Sequence, residues 1–266
     1  MRLTSWNINS VRLRLGQVER FLQESQTDVL CLQEIKCLND QFPEKALIKA
    51  GYPHIAVHGQ KGYHGVATIS KIPFAKIERK QFCGKEDSRH IAVTLENGIR
   101  VHNFYIPAGG DVPDPEENEK FAHKLDLLDE LRDWFSEQKL EKSVMLGDLN
   151  IAPCEHDVWS HKQLLKVVSH TPIEVEKLAA VQKSGKWVDV AREIMPEPEK
   201  LFSWWSYRAK DWRASNRGRR LDHIWVTPDL KKAATAKGRD GFRIHDHARS
   251  WERPSDHAPV SADFVL

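Results

Sequence analysis

A chain of 266 residues with 40% hydrophobic and 29% charged side chains can bury a sizeable core, which excludes a disordered or fibrous protein. Lys plus Arg (40) nearly cancels Asp plus Glu (38), so the net charge of +2 excludes a uniformly basic or acidic protein and makes the placement of charge the informative quantity. No stretch reaches membrane-spanning length, the N-terminus has no apolar leader core, and the four cysteines (Cys31, Cys37, Cys83, Cys154) lack C-x-x-C spacing, a pattern expected of reduced thiols in a cytoplasmic protein.

Residues 2–8 alternate like a strand and run into Asn7-Ile8-Asn9-Ser10. Val11, Leu15, Val18, Phe21 and Leu22 recur at helical spacing and predict a helix from Val11 to Gln23. Asp28–Glu34 predicts a second buried strand that closes on a carboxylate, so the opening follows the α/β pattern. From His54 to Ile106, short strands at Ile55–Val57, Gly65–Ser70, Phe74–Ile77, Ile91–Leu95 and Arg100–Tyr105 are separated by Gly, Pro, Asn and Lys, as in a hairpin-rich antiparallel sheet. Pro113–Gln138 predicts a long helix with the apolar stripe Phe121, Leu125, Leu128, Leu131 and Phe135 and a mostly acidic, solvated outer face. Ser143–Leu146 predicts a central buried strand, ended by Gly147 where the backbone bends. After a polar stretch, 155–200, come strand-like Leu201–Tyr207 and Leu221–Val226 and a final strand Ala258–Val265. Two halves on one plan, with no linker between them, predict one domain over 1–266: two sheets packed as a sandwich between helices.

Polar residues gather at the ends of these strands: Asn7, Glu34, Tyr105, Asp148, Asn150, Asp222, Asp256 and His257. A cap or structural hydrogen bond accounts for any one of them, but several buried carboxylates without partners are costly. Convergence is tolerable around a divalent cation, and an oxygen-rich set without a thiolate pair favours Mg²⁺ or Mn²⁺ over zinc. On extended backbone Asp148 and Asn150 would point the same way, one taking a proton from water and the other holding that water or an oxyanion. Ser255-Asp256-His257 places an imidazole at the entrance to the last strand; a carboxylate such as Asp222 would fix which ring nitrogen faces a substrate. His223, between apolar neighbours, reads as structural. Tyr207–Arg220 holds six bases and one acid, directly after Leu201-Phe202-Ser203-Trp204-Trp205-Ser206. Aromatics interleaved with bases supply phosphate contacts and a surface that can wedge or stack. Period-two spacing predicts Trp205 and Tyr207 on a buried face and Trp204 looking out.

Ser5–Arg12 (SWNINSVR), Leu32–Lys36 (LQEIK), Asn103–Pro107 (NFYIP), Gly147–Pro153 (GDLNIAP), Asn216–Asp222 (NRGRRLD) and Ser255–Pro259 (SDHAP) together resemble successive motifs of the exonuclease III family of abasic-site endonucleases, within the endonuclease/exonuclease/phosphatase superfamily. The six occur in family order and span the chain. The resemblance implies a four-layered α/β sandwich like that of deoxyribonuclease I, with two mixed β-sheets face to face and helices outside. It implies a DNA repair nuclease that hydrolyses duplex DNA 5′ to an abasic site and also acts as a 3′-to-5′ exonuclease and 3′-end trimmer, as a monomer with no membrane partner. Glu34 would be the principal Mg²⁺ ligand, with Asn7 and Asp256, and Mn²⁺ able to substitute; Asp148, Asn150 and His257 could serve a second metal. Asp148 would orient or deprotonate the attacking water, with His257 the rival base, while Asn150 steadies that water. Tyr105 and His257 would contact the scissile phosphate, and Asp222 would orient His257. Abasic or 3′-damaged DNA would be contacted by Asn9, Arg12, Lys36, Arg89, Trp204, Tyr207, Arg208, Asn216, Arg217 and Leu221, with Tyr63-His64-Gly65 as a further DNA-side loop. Trp204 and Leu221 would line the pocket for a flipped-out sugar. Two positions depart from many relatives: Ser10 replaces a Gly, and Arg219 stands where an apolar or aromatic residue often closes that pocket. The rival readings are a phosphoesterase of the same superfamily acting on a non-DNA phosphate ester and a catalytically inactive DNA-binding relative.

Overall fold

Period-two side-chain alternation sorts the chain into layers. The computed structural model describes residues 1–266. Its strands are β1 (Arg2–Asn7), β2 (Val29–Gln33), β3 (His54–His58), β4 (Val66–Ser70), β5 (Phe74–Glu78), β6 (His90–Leu95) and β7 (Arg100–Tyr105). They continue with β8 (Ser143–Asp148), β9 (Val188–Asp189), β10 (Trp204–Trp205), β11 (Gly218–Arg219), β12 (Asp222–Val226), β13 (Phe242–Ile244) and β14 (Val260–Asp263). One six-stranded sheet has the order β13-β14-β1-β2-β4-β3, the other β5-β6-β7-β8-β12-β9, and β10 pairs with β11 as a ribbon. Both sheets are mixed: β1 runs parallel to β2, and β7 to β8, within otherwise antiparallel neighbours.

Alternate residues of the central strands meet between the sheets: Leu3, Val29 and Cys31 from one, Val101, Val144, Leu146, Ile224 and Val226 from the other. On the outer face of the first sheet, Trp6, Leu30 and Leu32 pack against Val18, Phe21 and Leu22 of the helix Leu15–Ser25. On the outer face of the second, Phe104, Met145 and Trp225 pack against Leu128, Leu131 and Phe135 of the helix Glu119–Ser136 and Leu178 and Val181 of the helix Pro172–Ser184. Helix, sheet, sheet, helix are the four layers of an α/β sandwich, and each fully buried Val or Leu adds about 1.5–3 kcal/mol.

Several elements depart from the sequence expectation. The first helix begins at Leu15, because Asn9 and Ser10 adopt φ of +48° and +85° and hold Val11 in a buried turn instead. The acidic helix begins at Glu119, where Asn118 caps it. Its charged face is not all solvated, since Lys124 is fully buried. Gly147 does not end its strand: β8 runs on to Asp148, and glycine is required because a Cβ there would lie 1.9 Å from the Phe104 carbonyl oxygen. The stretch 201–207 contributes only the two residues of β10, and the last strand covers four residues. The halves are not sequential either, as the final strands β13 and β14 complete the first sheet while β5 and β6 join the second.

Candidate active site

The site lies where the inward-facing rows of the two sheets run out at one end of the sandwich. In the second sheet Tyr105 is level with Asp148, and Asp148 with Asp222, so the last inward residues of three adjacent strands stand side by side. In the first sheet Asn7 ends the row that begins with Leu3, and Glu34 follows β2 with φ +50°. The loops around the rim are held in the left-handed region at Lys36 (φ +52°), His64 (φ +58°) and Asn150 (φ +53°) as well, conformations that non-glycine residues adopt only where their surroundings hold them there.

Asn7 joins the two sheets: its Nδ2 donates to Glu34 Oε1 and to Asp148 Oδ2, each at 2.8 Å. The Tyr105 hydroxyl donates to the same Glu34 oxygen at 3.0 Å, and Lys36 Nζ lies 2.8 Å from Glu34 Oε2. Asp148 is completely buried and accepts from the Asn150 backbone N–H (3.0 Å) and Nδ2 (3.1 Å). Asp148 and Asn150 thus face one target, but the left-handed turn at Asn150, not an extended backbone, brings them together. His257 donates Nδ1–H to Asp222 Oδ2 at 2.8 Å and places Nε2 3.7 Å from Asp148 Oδ2. Asp222 is held in turn by Ser203, whose hydroxyl donates to it at 2.6 Å and accepts from the backbone N–H groups of Leu221 and Asp222. Asp256 accepts from Trp204 Nε1 (3.0 Å) and Asn9 Nδ2 (3.1 Å), and Asn9 accepts from Lys36 at 2.6 Å.

Burial pushes the Asp148 carboxyl up to about 7 despite the nearby His257. For His257, burial alone would favour the neutral ring, but Asp222, Asp148 and Asp256 override it and hold the imidazolium, with its pKa raised to about 10. Burial would also raise Glu34 and Asp256, yet Lys36 beside the first and His257 beside the second keep both below the ordinary carboxylate range. Tyr105 is held well above its usual value by burial and by the adjoining Glu34 and Asp148, so it remains a donor. The donor atoms of Asp148, Asp222 and His257 lie within 4.8 Å of one another.

These groups open into a cleft of about 860 Å³ whose lining includes Glu34, Asn150, Asp256 and His257 at one end and Trp204, Arg208, Arg217, Arg219 and Leu221 along its wall. Arg217 lies over the Trp159 ring at 4.8 Å. Arg12 and Asn216 are exposed, and Asn216 Oδ1 accepts from Trp205 Nε1. Trp205 is buried as expected, but Tyr207 is 51% exposed, its hydroxyl bridging Arg14 and the Pro254 carbonyl. Arg89 is not a surface cation: it is buried, ion-paired to Asp87 and lies 5.2 Å from the Tyr105 ring centre, so it braces the site from behind. Arg220 is buried too, paired to Asp157 and Asp189, which removes it from the DNA-facing bases. His223 donates Nε2–H to the Ile151 carbonyl at 2.8 Å, in keeping with a structural residue. Tyr63 is exposed, while His64 packs against Tyr105 and burial lowers its pKa to about 4.

Three residues behind the site were not singled out from the sequence. Ser203 sits inside an aromatic run, Lys124 is an ordinary helix charge on paper, and the only signal was the Thr171-x-x-Glu174 capping-box pattern at a helix start. In the fold Lys124 is bonded to Glu174 at 2.5 Å and donates to the Asn150 carbonyl at 2.8 Å.

The family model described as Endonuclease/Exonuclease/phosphatase family matches residues 4–257. The exodeoxyribonuclease III of Haemophilus influenzae is 33% identical over 99% of this chain and all of its own length. Among solved structures, a 3′-5′ exonuclease from Neisseria meningitidis superposes with a TM-score of 0.89 at 32% identity, and an AP endonuclease from Archaeoglobus fulgidus with 0.88 at 31%, both covering the whole of each chain.

Proposed function

The chain belongs to the Endonuclease/Exonuclease/phosphatase family as a DNA repair nuclease, and from that premise we propose that it hydrolyses duplex DNA 5′ to abasic sites and trims 3′ ends, using Mg²⁺. One observation supports this above the others. His257, oriented by Asp222 and with Nε2 3.7 Å from Asp148 Oδ2, stands with Glu34, Asn150 and Asp256 at one end of a cleft walled by Trp204, Arg208 and Arg217.

A phosphodiester anion repels a nucleophile, so its charge must be offset while water is aligned opposite the leaving oxygen. Asp148 takes the proton of that water and Asn150 holds it. His257 is the weaker candidate for the base, because three carboxylates stabilise its proton. It serves instead as a donor to the phosphate through Nε2, as Tyr105 does through its hydroxyl. Asp222, steadied by Ser203, keeps the ring oriented. Glu34, Asp256 and Asn7 form an all-oxygen donor set that fits Mg²⁺ or Mn²⁺. When bound there, the ion offsets charge on the non-bridging phosphate oxygens. Asp148, Asn150 and His257 would serve a second ion only with the His257 ring neutral at Nε2, since a ligating imidazole must be deprotonated there. Arg208 and Arg217 meet the backbone phosphates, while Trp204 and Leu221 line the place for the extruded residue. Asn9, Arg12, Lys36, Tyr207 and Asn216 are the further DNA contacts of this reading. The protein is read as a cytoplasmic monomer; its four cysteines are free, and no helix is long and apolar enough to cross a membrane.

The test compares an abasic-site duplex with a matched intact duplex, each with Mg²⁺ or with EDTA. Internal incision of the abasic duplex alone, and only with Mg²⁺, is expected, and Asp148→Asn should bind that duplex without cutting it. Absence of incision, or competition by a soluble inositol phosphate, would sink the reading.

A further inference from the structure

Two histidines outside the catalytic cluster face each other with a single proton between them. His161 begins the short helix His161–Leu164, and His170 closes the loop that follows it. Nδ1 of His161 lies 2.8 Å from Nε2 of His170, with the rings at 79° to one another. The other His170 nitrogen is fixed, since Nδ1 donates to the Ala152 carbonyl at 2.6 Å. Nε2 therefore presents its lone pair, and burial, which lowers the pKa of this ring, keeps a second proton away from it. His161 answers with its Nδ1 proton. An imidazole whose far nitrogen donates to a backbone carbonyl is oriented as metal-ligating histidines are.

Access separates this pair from a second one. His90 Nε2 and His102 Nδ1 also meet, at 3.1 Å, but both rings are buried and stacked on each other with Trp134 edge-on to each, which closes them to an ion. His161 is partly exposed, with His170 buried behind it. We propose that His161 Nδ1 and His170 Nε2 form a site for a divalent transition-metal ion, Zn²⁺ being the fitting cation, separate from the oxygen donors around Glu34. Two imidazole nitrogens suit Zn²⁺, Ni²⁺ or Cu²⁺, whereas Mg²⁺ prefers oxygen. At Zn–N distances of about 2.0–2.1 Å, tetrahedral ligands stand about 3.3 Å apart, so the rings need to part by only about half an ångström. Water completes the shell on the exposed side. On binding, His161 gives up its Nδ1 proton and takes one at Nε2, so the ring stays neutral. The ion bridges the two ends of the loop 161–170. That loop supplies Val168 and Ser169 to the cleft lining, and its Ser169 carbonyl accepts from the Ala152 N–H at 2.8 Å, two residues beyond Asn150. Occupancy therefore staples a cleft-lining loop without touching the catalytic groups.

The experiment titrates Zn²⁺ into the full chain in saturating Mg²⁺ by calorimetry and follows amide hydrogen exchange over residues 161–170. Wild type should bind one more Zn²⁺ than His161→Gln, and Zn²⁺ should slow exchange across the loop by at least about tenfold in wild type alone. Glutamine can still donate an N–H to His170 Nε2, but its amide nitrogen has no lone pair for a metal, so the native contact is kept and the ligand removed. His161→Cys supplies a thiolate instead of an imidazole and should bind the extra ion again, an outcome that a purely structural contact between the rings does not produce. Zn²⁺ taken up elsewhere, around Glu34 included, is common to all three proteins and cancels in the comparison. Incision of an abasic duplex in Mg²⁺ alone should be the same for wild type and His161→Gln. Equal stoichiometry in those two proteins, or loop protection by Zn²⁺ that persists in His161→Gln, would overturn the assignment.

Discussion

His257 shows how much of the chemistry is decided around a single ring. Its Nδ1 is committed to Asp222, so only Nε2 can face the cleft, and the charge that results is stabilised by carboxylates on three different segments. Replacing Asp222 with Asn removes the largest of those influences and offers Nδ1 an ambiguous partner. The histidine pKa should fall, as read by NMR titration, and kcat on an abasic duplex should drop on the order of 10²–10⁴-fold with KM little changed. An unaltered titration would show that Asp222 does not hold the proton. At this scale the sequence was most informative for residues at strand ends, where an apolar run followed by Asp, Asn or Glu marks a place that faces other strands. It misled where a charge was judged by its neighbours in sequence. Arg89 and Arg220 look like surface bases, yet Arg89 is buried on the neighbouring Asp87 and Arg220 on an acid far along the chain. The pairing of Arg220 with Asp157 spans 63 residues and leaves no local pattern.

Helix Glu119–Ser136 has a task beyond covering its sheet. Through Lys124 it reaches helix Pro172–Ser184 at Glu174 and the loop of Asn150 at its carbonyl, while Glu174 accepts from Ser169 N–H and from the N–H and hydroxyl of Thr171. A fully buried pair of this kind is strongly coupled, because removing one member strands the other in a medium that solvates it poorly. Lys124→Met should therefore cost about 3–5 kcal/mol in denaturant unfolding. Adding Glu174→Gln should recover part of that loss, since the amide still accepts from the 169–171 loop without a stranded charge. A single-variant loss below about 1 kcal/mol would mean the pair does not carry the junction. Element positions were legible where periodicity was strong, as in β7 and the apolar stripe of this helix. They were illegible where backbone conformation, and not hydrophobic spacing, decides: the left-handed turn at Asn9 and Ser10 delays the first helix, and Gly147 serves close strand pairing instead of a bend.

For the molecule as a whole, the open end of the sandwich concentrates unfavourable burial of charge, which the apolar core between and outside the sheets offsets, with ionic ties fixing the connections elsewhere. One such tie is the knot around Asp157, which accepts from Arg220 Nε at 2.8 Å and Nη2 at 2.9 Å, from Arg192 and from the Cys154 N–H. It fastens the segment after Asn150 to β11 and, through Asp189, to β9. Burial alone would raise the Asp157 carboxyl, but the two arginines override it and hold it at about 2. An unfolded aspartate titrates near 3.9, so above about pH 4 both states are ionised and the native state has its full advantage. As pH falls the unfolded chain takes up its proton first, and the advantage is lost by about pH 2. The shift corresponds to about 2 kcal/mol. Asp157→Asn should lose stability at neutral pH, because Arg220 keeps only Asp189. The gap between wild type and variant should then narrow by about 2 kcal/mol between pH 5 and pH 2.5, measured by denaturant unfolding. A gap that stays constant over that range would show that the Asp157 proton affinity is the same in both states, and the knot would then owe its strength to packing and not to charge.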